Sequence, residues 1–315
     1  MPELPEVETI ARGLSKRATG DVIESVWLGQ KKEPLKSPAE EIASTLEHSR
    51  IATVRRMGKH IVFELEKDGV DESVAQALPP AISRKALPAK NRAAKKKWKS
   101  GVGRAPTSGV SPGHLVRAQW IVHLGMTGRL QICPPEAEIE KHTHAILKLA
   151  SGRELRFIDP RRFGRLSVVK SADFDAGGVE PLEIDVDRFI ELFRGRKTPI
   201  KSALLNQKLL RGVGNIYADE SLFRAGIRPR RRAATITREQ LSRLLGHIKE
   251  VLSEAIAVGG SSISDYVDAD GEEGFFQLQH RVYGREGEPC LVCKHPIKRV
   301  VIAGRSSHYC PKCQS

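Results

Sequence analysis

The sequence predicts an α+β protein in which a strand-rich region, a helical region and a short cysteine-bearing hairpin follow one another along the chain. Three observations predict this order. Segments rich in β-branched residues, with partial alternation of apolar and polar positions, dominate the first half. Beyond Val186 the apolar residues recur at helical spacing, and two C-x-x-C pairs lie near the carboxyl end. A chain of 315 residues is long enough for two or three domains.

Local signals place the individual elements. Apolar residues at i, i+3, i+4 and i+7 from Val7 predict a first helix that Thr19-Gly20 ends. Thr237 and Gln240 form a capping box for a long helix that ends at Val258. The other predicted elements are strands at 22–28, 117–124 and 129–133, strands within 53–66 broken at Gly58, a hairpin of 144–149 and 154–157, a short helix at 38–46, a helix at 201–210 after Thr198-Pro199, a helix from the glycine turn 211–217 to Gly226, and a hairpin of 298–303 and 306–309.

The composition favours a polyanionic partner. Fifty-two Lys and Arg residues against 38 Asp and Glu give a formal net charge of +14 and a pI near 9.7. Such a charge attracts nucleic acid, although ribosomal and membrane-surface proteins share it. The start of the chain lacks the basic and apolar regions of a signal peptide, and no apolar run approaches the roughly 20 residues of a membrane span. We therefore expect a reducing, cytosolic compartment and no membrane partner.

The first residues carry a potential nucleophile. Initiator methionine is generally removed before proline, so we expect the mature chain to begin with the secondary amine of Pro2. An α-amino group has a pKa of about 7.7–8.0, so near neutral pH part of it can attack a sugar carbon and form a Schiff base. Glu3 is close enough to move protons for it. Alternatively, proline and glutamate merely open a helix, and we adopt that interpretation for Pro5, Glu6 and Glu8.

Four of the five cysteines, Cys290, Cys293, Cys310 and Cys313, form two C-x-x-C pairs separated by sixteen residues. This spacing is typical of a closed tetrahedral site in which four thiolates hold one structural zinc ion. A reducing compartment argues against disulfides. The residues between the pairs would form a hairpin, and the zinc ion would fix its tip, Arg305.

Several segments together resemble the formamidopyrimidine-DNA glycosylases, repair enzymes that excise oxidised purines and then cleave the abasic strand. The segments are MPELPEVE at 1–8, the strand region around Lys59, HLGM at 123–126, DPRRFG at 159–164, the run 201–226 and the cysteine hairpin. They occur in the family's order, and the resemblance covers about 1–66 and 119–315. It implies that Pro2 is the nucleophile, that Glu3 assists protonation and that Lys59 is a proton donor in strand cleavage. It also implies that Arg305 contacts a phosphate of the lesion strand and assists the second elimination.

The resemblance also implies a DNA-binding surface. Met126 would project into the base stack beside a wedge of Arg161, Arg162 and Phe163, where an apolar plate unstacks a step and guanidinium groups meet the vacated bases and phosphates. The run 201–226 resembles the family's helix-two-turns-helix. The remaining implied contacts to the DNA backbone are His142, Arg196, Lys201 and Asn215.

The fold implied by the resemblance has three parts. A two-layer β-sandwich flanked by helices would occupy 1–183, a helical helix-two-turns-helix domain 186–284 and a zinc finger 285–315, with DNA held in the cleft between them. A loop around 265–276 covers the flipped base in the family and varies among its members, so we assign it no contact.

One segment, at about 68–117, has no counterpart in the compact family members. It lacks acidic residues from Ser73 through Pro135, and nine Lys or Arg residues lie between Arg84 and Arg104. Such a composition cannot bury enough surface to fold alone. We predict a disordered basic insertion from Val70 to Pro112 that either contacts DNA, with Trp98 stacking on a base, or is a solvated tether.

The sequence therefore predicts a monomeric DNA repair glycosylase with abasic-site lyase activity that acts on duplex DNA containing oxidised bases or abasic sites. Two alternatives stay open. The sister group, the endonuclease VIII-like glycosylases, prefers oxidised pyrimidines, although Leu4, Met126 and the wedge favour the purine enzyme. A non-catalytic zinc-containing DNA-binding protein would explain the charge and the cysteines equally well, but it would not need proline as its second residue.

Overall fold

The computed structural model describes residues 2–68, 115–171, 173–262 and 274–315. The chain divides into two compact units, residues 1–66 with 117–315, and residues 67–116. The predictions for the insertion at 70–112, and most of the predicted loop at 265–276, lie outside the described residues. The account below concerns the first unit.

Two four-stranded sheets make up the described amino-terminal part. One has the order β1-β6-β7-β5 and the other β2-β3-β4-β8. Helix α1 (Leu4–Ala18) precedes the sheets and α2 (Ala39–Leu46) follows β1. The strands are β1 (Ile23–Leu28), β2 (Arg50–Met57), β3 (His60–Asp68), β4 (Leu115–His123), β5 (Arg129–Cys133), β6 (Thr143–Leu149), β7 (Glu154–Ile158) and β8 (Arg165–Val169).

One apolar core fills the space between these sheets and helices. Phe63 of β3 and Trp120 of β4 are buried with their ring centroids 4.8 Å apart, and Phe157 of β7 is buried in the same cluster. The apolar stripe of α1, which includes Ile10 and Leu14, packs into the same core, where each side chain contributes about 1.5–3 kcal/mol by leaving water. The predicted two-layer β-sandwich flanked by helices is confirmed.

The helical part consists of α3 (Val186–Phe193), α4 (Ile200–Leu204), α5 (Asn215–Arg224) and α6 (Arg238–Ala257) around a second core. The predicted capping box is present at the start of α6: Gln240 N–H donates to Thr237 Oγ1 (3.2 Å), and Thr237 N–H donates to Gln240 Oε1 (3.2 Å). Leu4 of α1 also lies in this second core. The first turn of α1 therefore joins the two halves of the molecule.

The predicted helix at 201–210 is wrong in its length, because α4 ends at Leu204. Polar side chains bind the backbone just beyond its end. Asn206 Oδ1 accepts from the N–H of Lys208 (3.0 Å), and Gln207 Nε2 donates to the carbonyls of Leu205 (3.0 Å) and Val213 (2.9 Å). These bonds satisfy backbone groups that a longer helix would have used. The chain therefore turns twice before α5 begins.

The carboxyl end forms the hairpin of β9 (Lys298–Ile302) and β10 (Arg305–Tyr309). Its turn consists of Ala303 and Gly304, both with positive φ. Arg305, the predicted tip, is instead the first residue of β10 and follows the turn directly. Among the described helices, none is long and apolar enough to cross a membrane.

Candidate active site and DNA interface

Hydrogen bonds hold the amino-terminal residues next to the turn that precedes α5. Pro2 and Glu3 are both buried and lead directly into α1. The N–H of Glu3 donates to Glu6 Oε2 (2.8 Å), and the N–H of Leu4 donates to the carbonyl of Gly212 (3.0 Å). Because α1 packs in both cores, Pro2 is held at a fixed place between the sandwich and the helices.

The Glu3 carboxylate lies at the amino end of α5. The N–H of Ile216 donates to Glu3 Oε1 (3.3 Å), and the positive end of the helix dipole faces the carboxylate. Gly214 makes this approach possible, because a β-carbon there would lie 2.1 Å from Glu3 Cδ. The second oxygen, Oε2, is buried without a hydrogen-bond partner among the described residues. A buried carboxylate oxygen without a partner is a candidate for proton exchange during a reaction.

Lys59 is the second buried titratable group of the site. It lies with Gly58 in the two-residue turn between β2 and β3, and only 8% of it is exposed. Burial lowers the pKa of Lys59, an effect that the charges of Glu3 and Glu6 oppose and that of Arg305 reinforces. Burial likewise raises the pKa of Glu3, which the charge of Lys59 opposes. Both shifts favour the neutral forms, and both bring the groups nearer to the pH range in which protons are exchanged.

Glu6 has a larger role than the sequence indicated. We interpreted it as an acid that merely opens α1, but it is buried and binds three elements at once. Its carboxylate accepts the N–H of Glu3, the hydroxyl of Tyr217 on α5 and the N–H of Ser261 after α6 (2.7 Å). It therefore fixes the backbone of Glu3 relative to both helices.

Arg305 reaches this site from the carboxyl end of the chain. Its side chain is exposed. Burial lowers the pKa of both Lys59 and Lys201, and the charge of the Arg305 guanidinium adds to this lowering. Lys201 itself is only 1% exposed: its Nζ lies 2.7 Å from Asp219 Oδ1 and donates to the carbonyl of Ser306 (2.6 Å). Asn215 Nδ2 donates to Ser306 Oγ (3.3 Å). The predicted phosphate contacts Lys201 and Asn215 thus bind the hairpin of Arg305, and phosphate binding by them stays a prediction.

The two loops predicted to enter the base stack lie side by side. Met126 and Phe163 are 40% and 53% exposed. Their loops touch through the backbone, because a β-carbon on Gly125 would lie 2.5 Å from the carbonyl carbon of Phe163. The guanidinium carbon of Arg161 lies 5.0 Å from the centre of the Phe163 ring, within the range of a cation–π contact. An exposed apolar pair with an adjacent cation therefore exists at the predicted place.

Asp159, to which sequence reasoning gave no role of its own, holds these loops together. It is fully buried. One carboxylate oxygen accepts from the hydroxyl of Thr127 (2.6 Å) and the N–H of Arg161 (3.2 Å), and the other accepts from the N–H of Gly164 (2.7 Å). This single carboxylate therefore holds the Met126 loop and the Phe163 loop together.

Three further predicted DNA contacts, Arg162, His142 and Arg196, are exposed. Arg162 forms an ion pair with Glu33 (3.0 Å), the backbone carbonyl of His142 accepts the N–H of Asp159 (3.0 Å), and Arg196 donates to the carbonyl of Leu192. Sequence reasoning gave no role to His123, which ends β4 just before the stacking loop. Burial, with the nearby His60, Arg165 and Lys59, lowers its pKa to about 4, so it is neutral at neutral pH.

The four carboxyl-terminal cysteines suit a zinc ion. Their sulfur atoms all lie within 4.8 Å of one another, and a tetrahedral site with Zn–S bonds of about 2.3 Å requires separations of roughly 3.8 Å. None of the four is in a disulfide. Four thiolates close the coordination sphere, so the ion they would hold is structural. Its place at the base of β9 and β10 would fix the hairpin that carries Arg305, as the sequence predicts.

Comparison with known proteins covers the whole chain. Family models match residues 1–166 (formamidopyrimidine-DNA glycosylase N-terminal domain), 178–267 (formamidopyrimidine-DNA glycosylase H2TH domain) and 287–315 (zinc finger found in FPG and IleRS). The chain is 41% identical over 318 residues to a formamidopyrimidine-DNA glycosylase of Solibacter usitatus, covering 100% of this chain and 99% of the relative. A relative from Gluconobacter oxydans is 38% identical over 326 residues, with both chains fully covered.

Solved structures give the same result. The crystal structure of the MutM (Fpg) protein of Thermus thermophilus superimposes with a TM-score of 0.75 at 36% identity and covers 99% of this chain and 98% of that one. The Lactococcus lactis Fpg bound to DNA with an abasic site superimposes with a TM-score of 0.78 at 30% identity and covers 99% of each chain. This chain belongs to the formamidopyrimidine-DNA glycosylase family.

Proposed function

We propose that this protein is a bifunctional base-excision repair enzyme that removes oxidised purines, formamidopyrimidines and 8-oxoguanine, from duplex DNA and then cleaves the abasic strand. One observation carries the proposal: the Glu3 carboxylate, with one free oxygen, lies beside the amino-terminal residue Pro2 and within electrostatic reach of Lys59. The Lactococcus lactis relative has been crystallised with DNA that contains Fapy-dG or an abasic site. The working form would be a cytoplasmic monomer associated with the nucleoid through DNA.

The first chemical steps would use Pro2 and Glu3. The lesion nucleotide must leave the stack before it can be attacked. The Pro2 nitrogen, exposed by removal of Met1, forms a bond to C1′ while the bond from C1′ to the base breaks, and the amine proton passes to the departing base. The nitrogen lone pair then forms an iminium as the sugar ring opens, and Glu3 donates the proton that the ring oxygen takes up. A carboxyl whose pKa is raised by burial suits this step.

Strand cleavage would follow from the iminium. Loss of a proton from C2′ expels the 3′ phosphate, and loss of a proton from C4′ expels the 5′ phosphate, so hydrolysis of the imine leaves a one-nucleotide gap. Each phosphate departs as an anion. Lys59, with its lowered pKa, can give up and regain a proton, whereas Arg305 can stabilise the leaving phosphate by charge alone. Zinc would take no part in these steps beyond fixing the hairpin.

DNA would be held in a cleft between the proposed domains, 1–183, 186–284 and 285–315. Met126, Phe163 and Arg161 form an exposed wedge that suits an unstacked base step. The exposed residues Arg162, His142 and Arg196 are candidates for backbone contacts, as are Asn215 and Lys201 at the hairpin. Phosphate contacts would set the register of the protein on the duplex without reading its sequence.

Single-turnover excision on matched duplexes tests the proposal. We expect release of 8-oxoguanine and formamidopyrimidine to be faster than release of an oxidised pyrimidine, and the product to be a one-nucleotide gap with phosphate at both ends. The Lactococcus lactis relative has also been crystallised with DNA containing an oxidised pyrimidine, so slower release from that substrate agrees with the proposal. Preference for the pyrimidine would favour the sister group, and DNA binding without base release would favour the architectural alternative.

A further inference from the structure

Asp219 is a fully buried carboxylate that the proposed chemistry does not use. It lies on α5 four residues after Asn215, so both side chains project from the same face of the helix. Its Oδ1 lies 2.7 Å from Nζ of Lys201 on α4. Its Oδ2 accepts the backbone N–H of His308 on β10 (2.8 Å), with the imidazole Nδ1 of the same residue 3.4 Å away. One carboxylate thus binds a helix and the zinc hairpin together.

A second contact completes the connection. Lys201 Nζ donates to the carbonyl of Ser306 (2.6 Å), and Asn215 Nδ2 donates to its hydroxyl (3.3 Å). The side chains of α4 and α5 therefore bind β10 at Ser306 and His308, on either side of the buried Ser307. Arg305 is the residue immediately before the first of these anchors.

The zinc cluster and this polar lock, formed by Asp219, Lys201 and Asn215, hold different parts of the hairpin. Cys310 and Cys313 lie beyond the carboxyl end of β10, whereas the lock holds residues 306 and 308, next to Arg305. The turn of Ala303 and Gly304 is exposed. Metal binding alone would fix only the base of the hairpin. The polar lock sets the direction of the other end, which carries Arg305.

We propose that Asp219 is a positioning residue for strand cleavage, which acts through Lys201 and the β10 backbone to hold Arg305 against the sugar–phosphate on which Pro2 and Lys59 act. The inference rests on the proposed function. The reacting atoms never touch Asp219. Its removal affects chemistry only where the Arg305 guanidinium is needed, which is the departure of the second phosphate.

The test compares Asp219→Asn with Glu254→Gln. Both substitutions replace a carboxylate by an amide and remove the nearest charged partner of a buried cation, Lys201 in one case and Arg224 of α5 in the other. Arg224 keeps a second, more distant partner in Glu250 (3.7 Å). Glu254 lies on α6, so it serves as the matched control away from the hairpin. The measurements are bound zinc, single-turnover base release, and the rates of the first and second eliminations on an abasic duplex.

For Asp219→Asn with one zinc bound, we expect the second elimination to slow by about 10- to 100-fold, the loss that a misplacement of about 1 Å produces. Base release and the first elimination should change far less, and Glu254→Gln should keep the wild-type ratio of the two eliminations. If Asp219→Asn does not fold, Asp219→Glu keeps the buried charge but lengthens the side chain, which displaces the contacts to Lys201 Nζ and to the N–H of His308, and it should show the same selective defect.

Two results overturn the inference. One is a zinc-loaded Asp219→Asn, or Asp219→Glu where the first variant does not fold, that keeps the wild-type ratio of the eliminations. The other is an equal slowing of every step in Asp219→Asn and Glu254→Gln, which assigns Asp219 to stability alone. Failure of the proposed function is recognised separately, because the wild-type protein would then neither release the base nor cleave the strand.

Discussion

Two hairpins bring a cation to the same site from opposite ends of the chain, and their environments differ. Lys59 lies in the turn between β2 and β3 and is buried, so its pKa is lowered. Arg305 follows the turn between β9 and β10 and is exposed. A guanidinium stays charged at any pH at which the protein is folded, whereas a buried ammonium can lose its proton. We therefore predict that Lys59 exchanges protons and that Arg305 stabilises charge.

The supports of the two hairpins differ as well. Gly58 and Lys59 continue directly into sheet strands whose side chains lie in the apolar core. The Arg305 hairpin has two strands only. It is held by the four cysteines and by the polar lock of Asp219, Lys201 and Asn215. Each hairpin can therefore be disturbed separately.

Zinc removal should cause the largest loss of activity, because it frees the Arg305 hairpin and leaves the Lys59 hairpin in place. We expect freshly purified protein to contain one zinc per chain, and chelation to abolish DNA binding while the β-sandwich stays folded. Metal analysis, DNA binding and circular dichroism before and after zinc is restored measure this. Less than about half an equivalent of zinc, with full activity, would contradict a closed structural site.

We expect the next largest loss of activity from Gly214→Ala, which displaces the Glu3 carboxylate between the two hairpins. The added methyl group would lie 2.1 Å from Glu3 Cδ, so Glu3 must move. We expect base release to slow by about 100-fold. The control is Gly246→Ala in α6, where a β-carbon meets nothing within 4 Å and should stabilise the helix by about 1 kcal/mol. Equal activity of the two variants would mean that the position of Glu3 is not critical.

Lys59→Arg tests the proton-exchange half of the comparison. A proton donor works only while protonated, so strand cleavage should decline as pH rises through the pKa of Lys59, which burial lowers below the usual 10.5. Arginine stays protonated, so the variant should be about 10- to 100-fold slower and lose this alkaline decline. The control is Lys16→Arg at an exposed position of α1. An unchanged alkaline decline in Lys59→Arg assigns the decline to another group.

The basic insertion should give the smallest effect on chemistry. It lies outside the described residues, and the prediction rests on its nine positive charges between Arg84 and Arg104. Joining Gly69 to Gly113 through a short glycine linker should flatten the log–log salt dependence of binding by roughly 2–3 units if about three side chains reach phosphates. Single-turnover excision on two lesions should keep its rates. An unchanged salt slope would make the insertion a passive tether, and an altered lesion preference would mean that it folds over the active site.

Sequence predicted the parts of this site that local signals encode. Pro2 and Glu3, the spacing of the cysteines, and the capping box of Thr237 and Gln240 each depend on residues a few positions apart. The family resemblance supplied the sandwich and the candidate roles of Lys59 and Arg305. The predicted ends of hairpins and helices were less accurate. For example, α4 ends at Leu204, earlier than predicted.

The residues that sequence reasoning missed are buried carboxylates whose partners are distant in the chain. Glu6 binds Tyr217, 211 positions away, and Asp219 binds His308, 89 positions away. Asp159 binds Thr127, 32 positions away. In a linear sequence each looks like an ordinary helix or loop acid, and only the folded chain shows which backbone N–H groups it satisfies.

Borohydride trapping tests the central claim, that the amine of Pro2 is the nucleophile. The protein is mixed with a duplex containing 8-oxoguanine and reduced, and the covalent product is digested and mapped by mass spectrometry. The account predicts a sugar fragment on the nitrogen of Pro2, an adduct that persists in Pro2→Gly, which keeps an α-amine, and its absence from a protein with a blocked amino terminus. Normal trapping of the blocked protein, or an adduct on Lys59, would contradict the account.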